Sequence, residues 1–313
     1  MPIPPKTLES WKGYSQAAIK TAKKTHTRIQ EDIGDSNLEE SSPPNSLSTL
    51  NVDTHLQGSY ANYTIVPGTS DVDVLVLLTN YFESDRSELD SGEETQWQYD
   101  HYQVPYSAPD FRQNVLNVLR DLYGTSAVSD GGKAIEINSD SDQCPLQLDA
   151  DVVPCLLYKY YTGYSEQPGE SIDGIYFEAS GNSIINYPFH HKEKRKEMNK
   201  DANGNYMETI RMFKRARNYL IEKNELSKDS VPSYYIECLL SNVDPECFHS
   251  SDLQERYTAV LLDIVNLVND GEKFTVQHGM KPLFSSDGSE WNPKDAAEFI
   301  VSATDLYENW DNY

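Results

Sequence analysis

Two aspartates open the most apolar strand-like run of the chain. Asp71 and Asp73 stand at the start of the segment 71–78, DVDVLVLL. Because side chains alternate along a strand, both carboxylates lie on one face, together with the two odd-numbered leucines. Two like charges at neighbouring positions of an apolar strand repel each other, which is costly. The pair therefore predicts a divalent cation bound by both carboxylates.

A third carboxylate follows in a second strand-like segment. Asp151 alternates with apolar residues in QLDADVVP, 147–154, and directly precedes Val152 and Val153. The Gly131–Gly132 turn leads into a strand, 133–138, which we predict to pair with the Asp151 strand as a hairpin. We expect Asp151 to lie beside the first two aspartates on a neighbouring strand. A separation above ~10 Å would exclude a shared site, because paired cations in such centres lie ~4 Å apart.

A short turn precedes the first two aspartates. Gly58 lets the backbone approach a ligand closely. The hydroxyl of Ser59 and the nearby amides can then hold phosphate oxygens. Taken without the aspartates, Ser59 is typical of an ordinary turn serine.

The second half of the chain is largely helical by its apolar periodicity. In the first half, residues 7–33 predict one long helix and 109–123 an amphipathic one; later helices are predicted at 206–223, from Pro232, at 252–269 and at 294–310. The predicted core of the last helix is Ala297, Ile300, Val301, Thr304 and Trp310. We therefore predict an α+β fold with two lobes: a sheet lobe, 1–185, with a long N-terminal helix, and a helical lobe, 186–313.

Three side chains of the helical half are candidates for nucleotide binding. Lys214 lies three residues after Arg211, so both share a helix face, and either can reach a triphosphate. Ser233 lies in the first turn after Pro232, where helix amides favour anions, and Tyr234 can stack on a base. The alternative for this pair is a helix-start serine and a core tyrosine. The adjacent His190 and His191 point in different directions, which argues against a metal site there.

Composition restricts the partners and the compartment. The chain has 313 residues, with 50 acidic against 26 basic side chains and a net charge of −24. A protein that grips duplex nucleic acid needs a broad cationic face, which this chain cannot easily supply. We find no signal peptide and no run of the ~20 apolar residues that a membrane span requires. The four cysteines lack zinc-site spacing, so core thiols in a reducing cytoplasm are expected.

The ordered set of motifs resembles the polymerase-beta-like nucleotidyltransferase superfamily, and within it the bacterial cGAS/DncV-like nucleotidyltransferases (CD-NTases). The resemblance is carried by QGSYANYT at 57–64, DVDVLV at 71–76, DADVVP at 149–154, IRMFKRARN at 210–218, PSYYIECLLSNV at 232–243, and KPLF at 281–284 followed by Trp291.

The resemblance implies that 1–185 is the nucleotidyltransferase lobe and that the helical lobe, 186–313, completes the nucleotide cleft. It also implies roles for individual residues. Asp71 and Asp73 would bind two Mg²⁺ ions, with Mn²⁺ as a substitute, and Asp151 would complete the site. Gln57 and Ser59, with Gly58, would hold the donor nucleotide. Lys214 and Ser233 would contact the triphosphate, and Tyr234 would stack on a base. Animal cyclic GMP–AMP synthase, a relative of this family, carries a zinc-binding insertion. That insertion has no counterpart among the cysteines of this chain, so no duplex-DNA activator is expected.

The resemblance also implies a metal-dependent cyclic-oligonucleotide synthase. Such an enzyme would join NTPs, ATP among them, into a cyclic di- or trinucleotide for anti-phage (CBASS) signalling, and a downstream effector protein would bind the product. We expect a cytoplasmic monomer without a membrane partner. Two alternatives stay open at this stage: a linear nucleotidyl polymerase of the oligoadenylate synthetase, tRNA CCA-adding or poly(A) kind, and a non-catalytic binding module with the transferase fold.

Overall fold

The computed structural model describes residues 1–36, 38, 50–67, 71–101, 106–165, 170–284 and 291–313. The chain divides into a sheet unit, Gln16–Ala61 and Asp71–His190, and a helical unit, Met1–Ser15, Asn62–Ser70 and His191–Tyr313. The sequence predicted a single boundary between residues 185 and 186. The structure differs in that the first fifteen residues and the segment 62–70 belong to the helical unit.

The described strands are β1 (Val52–Leu56), β2 (Val72–Asp85), β3 (Val128–Asp130), β4 (Ile135–Ile137), β5 (Ala150–Tyr161), β6 (Ser171–Ala179) and β7 (Asn182–Asn186). The described α-helices are α1 (Pro5–Lys12), α2 (Gln16–Gly34), α3 (Gly58–Asn62), α4 (Ser91–Asp100), α5 (Ala108–Tyr123), α6 (Pro188–Asp201), α7 (Tyr206–Glu222), α8 (Ser233–Leu240), α9 (Leu253–Asn269) and α10 (Pro293–Glu308). None of these helices combines the length and apolarity that a membrane crossing requires.

One mixed sheet forms the centre of the sheet unit. Its strands run in the order β1-β2-β5-β4-β3, and β6 and β7 continue from β5. Every described pair is antiparallel except β2 with β5, which is parallel. The middle of β2 is buried on both faces, with Val74 and Val76 on one side and Leu75 and Leu77 on the other. The predicted hairpin is present, since β4 pairs with β5.

The predicted long N-terminal helix is wrong. The segment forms two helices, because Gly13 ends α1 in an extended conformation (φ −71°, ψ 156°) and α2 starts only at Gln16. The apolar residues of the first segment, Ile3, Leu8 and Trp11, are buried in the core of the helical unit. The apolar periodicity of residues 7–33 thus belongs to two helices that lie in different units.

The last helix, α10, forms with a different buried face from the predicted one. Ile300 is buried as expected, but Val301 is 68% exposed. The other buried side chains of α10 are Ala296, Phe299, Ala303 and Leu306. Apolar residues lie on two adjacent faces of this helix. Their periodicity alone therefore does not show which face is buried, and the face predicted from it was wrong.

Candidate active site

The parallel pairing of β2 with β5 brings two of the three predicted aspartates together. Asp73 is directly opposite Asp151 in the register, and the amide of Val72 donates to the carbonyl of Asp149 at 2.8 Å. Neighbouring strands lie about 4.8 Å apart, far below the 10 Å limit set from the sequence. Leu75 and Cys155, two and four residues further on, pack in one apolar cluster, so the two aspartates share that face.

Asp71 lies just before β2, and its surroundings are acidic. Burial and the charges of Asp149 and Glu136 raise the pKa of Asp71. Burial, Asp71, Glu136 and Asp149 likewise raise the pKa of Asp151. Among the residues that the structure describes, no salt bridge involves Asp71 or Asp151. The site therefore concentrates negative charge with no basic side chain paired to these two carboxylates.

A fourth carboxylate, that of Glu136, joins the site and was not predicted from the sequence. This residue is opposite Asp151 on the β4 side, as Asp73 is on the β2 side, so an acidic row crosses three strands. Ser129 on β3 donates a hydrogen bond to Glu136 at 3.3 Å. Alternation along the predicted hairpin would have placed Glu136 on this face.

The predicted glycine turn lies directly against the aspartates. Gly58 has φ +65°, and a Cβ atom built on it would lie 1.7 Å from an oxygen of Asp73. The amide of Gln57 donates to the carbonyl of Asp73 at 2.8 Å. Ser59 follows as the second residue of α3 and is partly buried. The chain thus needs glycine at position 58 for two reasons, backbone conformation and space for the Asp73 carboxylate.

The acidic residues fit a hard divalent cation. Carboxylate oxygens are the ligands that Mg²⁺ and Mn²⁺ prefer. Burial and neighbouring carboxylates raise the pKa of Asp71 and of Asp151, and a bound cation would offset this effect. As the side chains of the described residues stand, however, no three acidic, histidine or cysteine groups converge into a ready-made metal site. Asp71, Asp73 and Asp151 are the residues that could hold the metal.

In the helical unit, Lys214 is buried and paired. Its side chain is 2% exposed, and its ammonium donates to Glu237, which is 3% exposed. Thr64 donates to the same carboxylate oxygen at 2.8 Å. The predicted contact of Lys214 with a triphosphate stays a prediction; in this structure its charge is already neutralised by Glu237.

The other two candidates in this unit open α8. Pro232 is the residue before the helix, and Ser233 and Tyr234 are its first two residues, both partly buried. The ring of Tyr234 lies 5.4 Å from that of His191 and 5.7 Å from that of Trp291. Tyr234 is therefore part of an aromatic cluster with His191 and Trp291, and its contact with a base stays a prediction.

Comparison with known proteins settles the family. The family model described as the cGAS/DncV-like nucleotidyltransferase C-terminal helical domain matches residues 193–308. The cyclic UMP-AMP synthase of Rhodothermus marinus (strain SG0.5JP17-172) is 32% identical over 312 residues, which is 99% of each protein. The chain belongs to the cGAS/DncV-like nucleotidyltransferases. The predicted family is confirmed, and with it the prediction of a nucleotidyltransferase.

Other CD-NTases agree over the same length. The cyclic nucleotide synthase CdnE01 of Staphylococcus haemolyticus is 32% identical over 314 residues, 99% of this chain and 100% of the relative. The structure of the Rhodothermus marinus CdnE c-UMP-AMP synthase with Apcpp and Upnpp matches with a TM-score of 0.83 at 32% identity, over 99% of this chain and 98% of that chain. The predicted α+β fold is confirmed. The roles of individual site residues stay predictions.

Proposed function

We propose that this CD-NTase joins nucleoside triphosphates into a cyclic oligonucleotide and releases pyrophosphate at each step. The observation that carries the proposal is the register that pairs Asp73 with Asp151 on one face of the sheet, beside Asp71. Full-length similarity to synthases named for cyclic nucleotides supports the ring-forming outcome. Relatives are named for different bases: UMP with AMP in the Rhodothermus marinus synthase, two pyrimidines in that of Legionella pneumophila and two purines in that of Elizabethkingia meningoseptica. The proposal therefore does not extend to the bases.

In the proposed reaction, the oxygen of an acceptor ribose hydroxyl attacks the α-phosphorus of the donor. The bond from that phosphorus to the bridging oxygen of pyrophosphate breaks, and the hydroxyl proton passes to Asp151 or through it to solvent. The linear product then presents its own triphosphate to its remaining ribose hydroxyl, and the same step closes the ring. Two Mg²⁺ ions, held by Asp71, Asp73 and Asp151, would supply the positive charge that lowers the barrier to transfer.

The chain's own residues would position the donor for this step. Gly58 lets the backbone come close to the phosphates without a side chain in the way, and Gln57 and Ser59 supply polar groups next to it. In the helical unit, Ser233 and Lys214 are the proposed triphosphate contacts, and Tyr234 the base contact. We further propose a cytoplasmic monomer that uses ATP as one substrate and whose product acts on an effector protein in CBASS defence.

The test is pyrophosphate release by Asp73→Asn with an equimolar mixture of four NTPs and Mg²⁺. We expect the rate of pyrophosphate release to fall at least about 100-fold. A bound metal stabilises the charge of the transition state by several kcal/mol, and the variant lacks one of the proposed metal ligands. Asp53→Asn is the matched control, the same change at an exposed position of the neighbouring strand β1. Full activity of Asp73→Asn, with a normal circular dichroism spectrum in both variants, would refute the assignment.

The product of the wild-type enzyme tests ring closure. A cyclic product has no terminal phosphate, so phosphatase should leave its chromatographic mobility unchanged, whereas a linear oligonucleotide shifts. Mass spectrometry of the resistant product identifies the bases. If phosphatase shifts all of the product, the product is linear, and the function is that of the linear polymerase and not of a cyclase.

A further inference from the structure

Glu237 links three parts of the helical unit through one buried carboxylate. One of its oxygens accepts hydrogen bonds from Lys214 on α7 and from Thr64 in the segment 62–67. Glu237 itself lies on α8, three residues after Tyr234. Burial works against its ionisation, but the charge of Lys214 and the hydrogen bonds from Lys214 and Thr64 lower its pKa overall. The carboxylate is therefore charged at neutral pH.

The second oxygen of Glu237 is buried and has no hydrogen-bond partner among the described residues. It faces Nε2 of His191, 3.8 Å away, at the start of the helical unit's part of α6. A buried carboxylate oxygen without a donor is costly, so an N–H directed at it is stabilising. The imidazole of His191 can supply that N–H.

The state of His191 follows from its surroundings. Burial lowers its pKa, and Arg195 and Lys214 add to this effect, while Glu237 and Gln277 oppose it. The ring is therefore neutral at neutral pH, with one donor nitrogen and one acceptor nitrogen. A lone pair facing a carboxylate would be repelled, so the proton lies on Nε2.

With its proton on Nε2, His191 presents an acceptor at Nδ1. The hydroxyl of Tyr234 lies 3.4 Å from this nitrogen and can donate to it. The amide of Asn62, 3.4 Å from Nε2, can turn its oxygen toward the N–H, because an amide presents either end. The thiol of Cys238 is the other polar group at the Tyr234 hydroxyl. The contacts form a chain from Glu237 through His191 to Tyr234.

We propose that Glu237 and His191 are positioning residues that fix the ring of Tyr234 as the stacking surface for a substrate nucleobase. The inference rests on the proposed function, since only a nucleotide-binding enzyme needs this surface. His191 restrains the Tyr234 ring in two ways. The imidazole packs against the Tyr234 ring at an interplanar angle of 33°, and its Nδ1 atom accepts a hydrogen bond from the Tyr234 hydroxyl. Trp291 packs on Tyr234 at 61°, which restrains the ring further.

The experiment uses the full-length enzyme in an equimolar four-NTP mixture, with pyrophosphate release as the readout. His191→Phe keeps an aromatic ring and removes both nitrogens, and Tyr234→Phe removes only the hydroxyl. Each should raise the KM for the mixture about 3- to 10-fold, the effect of one hydrogen bond, with less than about a twofold change in kcat. The double variant should be no worse than either single one, since both changes remove the same contact.

Two further variants separate positioning from general damage. His191→Asn places an amide oxygen near the position of Nδ1, so it should restore a KM closer to wild type than His191→Phe does. His190→Phe, the same change one residue earlier, is the control; the Nδ1 atom of His190 has no hydrogen-bond partner within the described chain. This control should leave KM unchanged.

The outcomes distinguish this inference from the proposed function. If the wild-type enzyme releases no pyrophosphate, the proposed function fails. If it turns over but His191→Phe and Tyr234→Phe leave KM unchanged, or raise it additively in the double variant, the positioning role is refuted. If thermal denaturation shows that His191→Phe is poorly folded, the KM of Tyr234→Phe alone tests the positioning role, because this variant leaves His191 and both rings in place.

Discussion

Replacing Asp151 with asparagine should stabilise the metal-free enzyme while removing its activity. Asp151 lies between Asp73 on β2 and Glu136 on β4, both directly opposite it. Burial and like charges raise its pKa above the ordinary value. For a carboxyl group, a raised folded-state pKa means that ionisation costs folding free energy. The cost is present above the raised pKa and disappears as the pH falls toward 3.8, the ordinary value.

The expected magnitude follows from the spacing across the strands. Two unit charges about 5 Å apart, close to the strand spacing, interact by about 0.8 kcal/mol in water and about 3 kcal/mol at an effective dielectric constant of 20. Because Asp151 is only partly buried, solvent screening favours the lower part of this range. We expect Asp151→Asn to gain roughly 1–2 kcal/mol of stability at pH 7.5 in EDTA, or roughly 2–6 °C in Tm.

The assay is thermal unfolding at pH 7.5 and near pH 4, each with EDTA and with Mg²⁺. The gain should shrink near pH 4, where the wild-type carboxyl takes up a proton. Mg²⁺ should raise the Tm of the wild type more than that of Asp151→Asn, since the variant lacks one ligand.

Asp149 provides a control of opposite sign, two residues away. The hydroxyl and amide of Ser139 both donate to its carboxylate at 2.7 Å and lower its pKa. Asp149→Asn should therefore lose stability, by less than about 1 kcal/mol because the side chain is exposed. If Asp151→Asn lowers the Tm in EDTA as Asp149→Asn does, the reasoning on charge repulsion is wrong.

Two further predictions concern buried contacts. Lys214→Met leaves the Glu237 carboxylate buried without its ammonium and should cost about 3–5 kcal/mol in urea unfolding, followed by tryptophan fluorescence, since three of the four tryptophans lie in the helical unit. The double variant Lys214→Met, Glu237→Leu should recover most of that loss, and a single-variant cost below about 1 kcal/mol would contradict a buried ion pair. Gly58→Ala forces a Cβ into the Asp73 carboxylate at φ +65° and should lower pyrophosphate release at least about tenfold, with a strain of about 1–2 kcal/mol. Unchanged turnover at saturating Mg²⁺ would show that the Asp73 side chain can move without loss.

The acidic site was largely predictable because its residues break a strong local pattern. Carboxylates at the start of an otherwise apolar strand are costly, so Asp71, Asp73 and Asp151 stood out even in a chain of −24 charge. Glu136 did not stand out, because a single exposed glutamate in a three-residue strand looks like any other surface acid. Only the pairing of β4 with β5 gives it a place in the site.

The buried cluster around Glu237 could not be predicted from local patterns. Its contact with Thr64 spans 173 residues of sequence, and that with Lys214 joins two separate helices. A helical pattern shows that position 237 lies on α8 but not which partner neutralises its charge. The break at Gly13 was missed for a related reason, since apolar residues continue at helical spacing on both sides of it.

Asp73 on β2 and Asp151 on β5 also help to set the register on which their pairing depends. From Val74 to Leu78, β2 is buried on both faces, so alternation of apolar and polar residues does not specify its pairing there. A shift of one residue along β5 would still pair apolar residues over most of the strand. It would, however, turn Asp73 and Asp151 to opposite faces, and one carboxylate would enter an apolar layer without a partner. The charges that we propose to bind the metal thus also disfavour the wrong pairing, so substitutions at these positions test the proposed catalytic role and the register of the sheet together.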